Sequence, residues 1–411
     1  MKRHLIGIGG VGMSALATAL VRFGDTVTGA DRTRDTSNVK FLESLGVKVF
    51  PDDGSGVDAA TDEVIVSTAI EETNKGLLRA KELGIPVTHR AKALARALEG
   101  YKLVAVVGTC GKSTVTAMLG HVLAECGLDP MCVNGANVPG WEGAVRFGQG
   151  EFAVAEVDES DKSLVAFKPY AAIVTNASAD HYSKEEMDEV FDAFVKDVHG
   201  PVVDGRKSAG GAVGGLGAEV PTSIPGRHNR QNAALALRMA VALGCDEAKA
   251  RAALLTFRGV ERRLQKVGED VYDDYAHNPE KLRAMITTLQ EKYGDGGVCV
   301  IWRPHGYAPL RKMKDALADM FVATLRPQDG LVLLPVYDAG GTTDRSINTS
   351  DLMEAMRGRS PTDNVFFVSG PELAQDVCMR HRREFACFVT CGARDPGLPV
   401  LARRLSDEIG A

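Results

Sequence analysis

The stretch LVAVVGTCGKST, residues 103–114, decides the fold class. Its apolar run, Leu103–Val107, reads as a strand buried on both faces, as strands of a helix-covered parallel sheet do. Gly108-Thr109-Cys110-Gly111-Lys112-Ser113-Thr114 follows, and then an amphipathic helix carrying Val115, Met118, Leu119, Val122 and Leu123. A strand, a glycine-containing loop and a helix in that order turn backbone N–H groups toward a phosphate. In such a loop Lys112 reaches the β- and γ-phosphates, and the hydroxyl of Ser113 or Thr114 holds Mg2+. The strict pattern wants glycine at 106, where this chain has Val106, so the loop is a shortened version.

Toward the N-terminus, the apolar run Leu5–Ile8 overlaps Gly7-Ile8-Gly9-Gly10-Val11-Gly12, and a helical pattern continues through Met13, Leu16, Ala17, Leu20 and Val21. A second strand, Thr26–Ala30, ends at Asp31, 19 positions after Gly12. Gly7, Gly9 and Gly12 fit the G-x-G-x-x-G turn in which a helix N-terminus meets a phosphate. The plainer reading is a tight turn without a ligand. The pattern does not name the nucleotide, so an NAD(P) oxidoreductase resting on this turn and Asp31-Arg32 stays open here. Strand and helix signals alternate onward (Val47–Phe50, Val64–Ser67, Leu77–Leu83, Val87, Lys92–Leu98) and predict a small parallel sheet ending near Glu99. Met1-Lys2-Arg3 and the apolar run to Leu20 also resemble a signal peptide, but Gly7, Gly9, Gly10 and Gly12 make it a poor apolar helix.

Toward the C-terminus, Phe152–Ala155 ends at Glu156, with Asp158, Glu159 and Asp161 close behind, and Ala171–Thr175 ends at Asn176, followed by Asp180-His181. Strand ends in an α/β sheet converge on the site beside the phosphate loop. Mg2+ takes oxygen ligands, and a histidine suits a second metal. Out of that context the acidic run is a solvated turn and His181 a structural histidine. Asn229 and Asn232, before an alanine-rich helix, either cap it or read a base edge. Arg262 and Arg263 lead into Asp273-Asp274-Tyr275-Ala276-His277 and suit bidentate phosphate contact or a surface charge cluster.

Length and composition bound the rest. A chain of 411 residues is a prior for about three domains. A net charge of -6 gives no basic footprint for nucleic acid or an anionic membrane. The 8 cysteines are scattered without a CxxC pair, which reads as reduced thiols in the cytoplasm. No unbroken apolar stretch of about 18 residues offers a membrane span.

Taken in order, the motifs resemble those of the Mur ligase family over nearly the whole chain. They are GIGGVGMSALA (7–17), VSTAI (66–70), HRAKAL (89–94), GTCGKST (108–114), EVDESDKSL (156–164), TNASADH (175–181), PGRHNRQNA (225–233), GVERR (259–263), DDYAHNP (273–279), RPHGY (303–307), VYDAGG (336–341) and TCGARD (390–395). The resemblance implies an α/β protein of three domains. Residues 1–99 form a Rossmann-like domain for a UDP sugar, 100–257 a central P-loop ATPase with a parallel-rich sheet, and 258–411 a C-terminal Rossmann-like domain that helps bind an amino acid. It implies a ligase of peptidoglycan precursor synthesis, with ATP and Mg2+ as cofactors. L-alanine is joined to the carboxylate of UDP-N-acetylmuramate through an acyl phosphate.

The same resemblance assigns residues. Gly7, Gly9, Gly10, Gly12, Asp31, Ser67 and Arg90 fall to the UDP sugar. Gly108, Thr109, Gly111, Lys112, Ser113, Thr114, Asn229, Asn232, Arg263, Asp274 and His277 fall to ATP. Ser113, Thr114, Glu156 and His181 fall to the metal, and Lys112, Glu156, His181 and Arg263 to catalysis. Three departures stand out. Cys110 replaces a usual histidine or asparagine, RPHGY replaces QPHRY and so lacks an arginine at Gly306, and the stretch 199–224 is shortened around the glycine-rich run 210–217. Two further readings follow from them: a ligase adding another amino acid or a peptide to the same sugar, and a nucleotide-sugar-binding protein without catalysis.

Overall fold

The computed structural model describes residues 1–158, 163–177, 184–207, 219–338, 340 and 343–410. Its strands form three sheets. The first contains β1 (Lys2–Ile6), β2 (Thr26–Asp31), β3 (Lys48–Pro51), β4 (Glu63–Val66) and β5 (Val87–His89), in the order β3-β2-β1-β4-β5 with every pair parallel. Parallel neighbours need long crossovers, and the helices Val11–Arg22, Ser37–Ser44 and Lys75–Glu82 supply them. Strand order reverses beside β1, which makes the carboxyl end of β1 a crevice for a ligand.

The second sheet is built of β6 (Lys102–Val107), β7 (Met131–Val133), β8 (Val145–Arg146), β9 (Phe152–Glu156), β10 (Ala171–Val174) and β11 (Val202–Asp204), in the order β11-β10-β6-β9-β7-β8. Only the β7–β8 pair is antiparallel. The third contains β12 (Gln265–Gly268), β13 (Val271–Asp274), β14 (Gly297–Trp302), β15 (Gly330–Leu333), β16 (Val365–Phe367) and β17 (Phe385–Cys391), in the order β12-β13-β17-β14-β15-β16. Here β12 alone runs against its neighbour. The expected α/β class with parallel-rich sheets is what the chain forms.

Packing divides the chain into two compact units, Met1–Ile224 with Asn229–Val260, and Pro225–His228 with Glu261–Ala411. In the first unit one apolar cluster runs from Leu5, Ile8 and Leu16 to Leu103, Ala105 and Val107, so the first two sheets share a core. The apolar N-terminal segment contributes β1 and a helix with Met13–Leu20 entirely buried, as part of that core. In the second unit β14 is buried along its whole length, with Trp302 and Phe321 in one core layer and Ile301 and Phe388 in another. Burial at about 25 cal/mol per Å2 of apolar surface makes these layers the main stabilising term.

Among the described residues β11 is the outermost strand of the second sheet, and Arg206 fixes it. Its guanidinium reaches Asp204 at 2.7 Å, Asp192 at 2.7 Å and Asp188 at 3.1 Å, the last two on the helix Lys184–Lys196. Asp204 is only 9% exposed and depends on this cation, whereas Asp192, 61% exposed, is largely screened by water. Arg206→Ala should therefore lower the unfolding free energy by about 2–3 kcal/mol, chiefly through Asp204. Urea denaturation measures it, and a change below about 0.5 kcal/mol would mean that the network is incidental.

Candidate active site

The glycine turn after β1 is closed by residues far away in sequence. Gly7 takes a left-handed φ of 74°, and its N–H donates to Ala30 O at 2.8 Å. The N–H of Gly9 donates to Asp31 Oδ2 at 2.8 Å, and Asn38 Nδ2 donates to Gly9 O at 2.9 Å. Asp31 thus braces the turn. Gly10 caps the helix Val11–Arg22 without a side-chain hydrogen bond, which leaves first-turn N–H groups for an anion. A Cβ on Gly12 would collide with the Arg90 guanidinium, so Arg90 lies against the turn. Ser67 follows β4 and starts a turn that places Ile70 beside Gly7. The seven residues expected around this turn (Gly7, Gly9, Gly10, Gly12, Asp31, Ser67 and Arg90) all fall at the carboxyl ends of β1, β2, β4 and β5. Asn38 is an addition. Nothing in its spacing points to Gly9, 29 positions away.

The phosphate loop leaves β6 between β9 and β10. Val106 pairs with Glu156 and Val107 with Val174, so Glu156 flanks the loop on one side and Thr175-Asn176 on the other. The second flank is bonded to the loop. Cys110 N–H donates to Asn176 Oδ1 at 3.0 Å, while Asn176 Nδ2 (2.9 Å) and Thr175 Oγ1 (2.7 Å) donate to Cys110 O. Thr109 N–H donates to Asn176 O at 3.2 Å. Gly111, with φ 85°, starts the helix Lys112–Glu125 without a side-chain cap, and Ser113 and Thr114 are buried in its first turn. Lys112 folds over the loop and donates from Nζ to Gly108 O at 2.6 Å.

Asn232 packs against this loop. A Cβ on Gly111 would come within 2.7 Å of Asn232 Oδ1, so only glycine fits there. The helix Arg227–Ala242 already includes Asn229 and Asn232, both buried, which removes the capping alternative for them. On the other flank Glu156 Oε2 accepts the N–H of Gly135 at 2.7 Å, and neighbouring Asn134, 2% exposed, keeps Oδ1 without a hydrogen-bond partner among the described residues. A carboxylate, buried hydroxyls and an orphaned amide oxygen are the oxygen donors that Mg2+ accepts, and the uncapped helix start suits phosphate, so the residues fit both. Glu159, Asp161, Asp180 and His181 lie outside the described residues.

In the second unit Arg263, Asp274 and His277 gather at the end of β13. Asp274 accepts N–H groups from Leu264 at 2.6 Å and Ala276 at 2.7 Å. Burial raises its carboxyl to about 6, against the opposing pull of Arg263 and those two N–H groups. Arg263 stacks over Tyr275, 5.1 Å from the ring centre. Its neighbour Arg262 is structural: it pairs with buried Asp273 at 2.9 Å and donates to Gly392 O at 2.6 Å. His277 Nδ1 bonds Tyr275 O at 2.9 Å, and its ring meets that of His305 edge-on at 4.9 Å.

Two measurements check this arrangement. Asn176→Ala removes the side-chain bonds to Cys110, and ATP affinity should fall on the order of tenfold by calorimetry while UDP binding at the first turn is unchanged. An unchanged ATP affinity would leave Asn176 a packing residue. For Asp274, a raised folded-state pKa means stability that is fully present in acid and lost as pH rises from about 4 to about 6. Relative to Asp274→Asn, wild-type stability in urea should fall by about 2 kcal/mol between about pH 4.5 and 7. A flat difference would place the carboxyl in water.

Comparison with known proteins agrees with these features. The pattern of the Mur ligase family, catalytic domain, matches residues 2–102, and that of the Mur ligase, glutamate ligase domain, matches residues 262–394. A UDP-N-acetylmuramate–L-alanine ligase from Paenarthrobacter aurescens is 35% identical over 82% of this chain and 83% of its own. Its namesake from Rubrobacter xylanophilus is 32% identical over 98% of this chain and 100% of its own. The crystal structure of the UDP-N-acetylmuramate–alanine ligase of Thermotoga maritima superposes with a TM-score of 0.80 at 25% identity, covering 100% of this chain and 99% of that one. With both patterns in place and relatives this similar over most of its length, the chain belongs to the Mur ligase family.

Proposed function

We propose that this protein is an ATP-dependent ligase that joins L-alanine to the carboxylate of UDP-N-acetylmuramate in peptidoglycan precursor synthesis. One observation carries the reading. The chain builds two separate phosphate-type turns, one after β1 and one after β6, each at the carboxyl end of a central parallel strand. A reaction with two phosphate-bearing substrates, a UDP sugar and ATP, uses both. A nicotinamide oxidoreductase would use only the first and leave the second without a task. The relatives' names supply the identity of the sugar and of the amino acid.

The residues divide the work accordingly. The turn Gly7–Gly12, with Ser67 and Arg90, receives the UDP sugar, and Asp31 and Asn38 keep that turn in shape. Gly108–Thr114 receive the ATP phosphates, with Lys112 exchanging Gly108 O for a phosphate oxygen. Asn229, Asn232, Arg263, Asp274 and His277 are assigned to ATP. The sugar carboxylate attacks the γ-phosphorus, the bond to ADP breaks, and the amine of L-alanine then displaces phosphate from the acyl carbon. Positioning and charge neutralisation are what phosphoryl transfer needs from the protein. Lys112 and Arg263 supply positive charge, and Ser113, Thr114, Glu156 and His181 are assigned to Mg2+, which when bound neutralises charge on the transferring group. We assign the domains to 1–99, 100–257 and 258–411, and the cytoplasm as the place of action. No helix among the described residues is long and apolar enough to cross a membrane.

Phosphate release tests the reading. Wild-type protein should release phosphate at a useful rate only with UDP-N-acetylmuramate, ATP and L-alanine together. Lys112→Ala should cut that rate about 10²–10³-fold, as loss of one transition-state donor does, and leave UDP-sugar binding intact. Tight sugar binding by wild type without phosphate release for any amino acid would leave only a binding protein.

A further inference from the structure

On the face of the second sheet covered by the helix Lys112–Glu125, two buried side chains keep polar atoms without a hydrogen-bond partner among the described residues. They are Thr116 Oγ1, in a residue 0% exposed, and Asn134 Oδ1, in a residue 2% exposed. Packing brings them together. A Cβ on Gly120 would come within 2.7 Å of Cys132 Sγ, so this helix position lies on that position of β7. Thr116 stands one turn before Gly120, about 6 Å nearer the phosphate loop. Asn134 stands two residues beyond Cys132, about 6.6 Å nearer the carboxyl edge and on the same face of the sheet. The helix descends from that edge, because β6, which leads into it, runs parallel to β9, and β9 to β7. Thr116 and Asn134 are therefore level with one another.

Glu156 joins them. Cys132 pairs with Val154 and Val133 with Ala155, so the next step of the register puts Asn134 beside Glu156. Gly135 N–H already donates to Glu156 Oε2 at 2.7 Å, which leaves Oε1 to accept a second bond. Asn134 Nδ2 donates to Ala136 O at 3.0 Å, so the amide is turned with Oδ1 left to accept. Two acceptors and one hydroxyl, which can donate, are thus gathered between a helix and a sheet. A buried polar atom left unpaired is costly, and a buried water typically makes about three hydrogen bonds to such atoms. One water satisfies all three here. Its two O–H groups donate to Asn134 Oδ1 and Glu156 Oε1, and its oxygen accepts from the Thr116 hydroxyl.

We propose that Thr116 and Asn134 hold a water molecule against Glu156 and so fix the direction in which its carboxylate faces the metal, a positioning role that rests on the assignment of Glu156 to Mg2+ above. A carboxylate that binds a metal is oriented by the groups behind it, and their loss weakens metal binding although they never touch the ion. Gly135 N–H sets one oxygen of Glu156, and the water sets the other. The water also joins two parts of the site. Thr116 rides on the helix whose first turn carries Ser113 and Thr114, and Glu156 ends β9, so the hydroxyls and the carboxylate assigned to the metal keep a fixed separation.

The test uses Mn2+ alone as the probe, titrated into the full chain and followed by the loss of the free-ion paramagnetic resonance signal. Thr116→Val keeps the shape of the side chain and removes its hydroxyl. It should weaken Mn2+ binding on the order of tenfold, the typical worth of a group behind a metal ligand. Thr116→Ser, which keeps the hydroxyl, should bind as wild type does. A hydroxyl that only supports packing would move the urea midpoint and leave Mn2+ affinity alone. Asn134→Ala should weaken binding by a similar factor, and Thr116→Val added to it should cost little more, because both remove the same water. Wild-type affinity in either Thr116→Val or Asn134→Ala, equal weakening in Thr116→Ser, or losses that multiply in the double variant overturn the inference. The metal reading fails separately, in wild-type protein that binds Mn2+ no more tightly than Glu156→Ala does, and takes the inference with it.

Discussion

The hydrogen bonds that tie Cys110 to Thr175 and Asn176 are the constraint on which the phosphate site depends. A loop rich in backbone N–H groups binds an anion well only if those groups already point together, because ordering it on binding costs about 1–2 kcal/mol per residue. Here the neighbouring strand does the ordering in advance. The main chain of Cys110 is gripped through both its N–H and its C=O, and Asn232 fills the space over Gly111. Glycine is required at 111 for two reasons, a left-handed φ and a side-chain neighbour that leaves no room for a methyl group.

The glycine turn after β1 repeats this solution with different residues. Asp31 accepts from Gly9 and Asn38 donates to it, so the same peptide segment is again held by its N–H and C=O. In both turns one bracing side chain, Asp31 or Asn176, stands at the end of a neighbouring strand of the same parallel sheet. That follows from the architecture: parallel strands put all their carboxyl ends on one edge, and the residue after each strand is within reach of the next loop. The third sheet follows it too, with Arg262 and Arg303 reaching across to the loop after β17.

This division explains what could be read from the sequence. Glycines at G-x-G-x-x-G and the run Gly108–Thr114 are local patterns, and their periodic apolar flanks predict the strands and helices around them. Asp31 and Glu156 are legible as strand ends. The braces are not, because Asn176 and Cys110 are 66 residues apart and a lone asparagine carries no signature. Asn229 and Asn232 show the limit of local chemistry: their type suggests a helix cap, but the helix begins at Arg227. Arg262 and Arg263 look equivalent in sequence, and both guanidiniums lie over Tyr275, yet Arg262 also pairs with buried Asp273 and ties the carbonyl of Gly392. What separates them is where Asp273 and Gly392 lie in the fold, which the local sequence does not show.

The carboxylates around Arg206 have a consequence beyond holding β11 in place. Among the described residues that strand has a neighbour on one side only within the sheet, so its other side carries main-chain groups open to pairing. It is three residues long and ends at Asp204, within reach of Arg206, Asp188 and Asp192. A short border with charge gathered at its end is a poor template for strand addition. Strand addition at this border would have to bury those carboxylates, a cost that the edge carries in its own side chains.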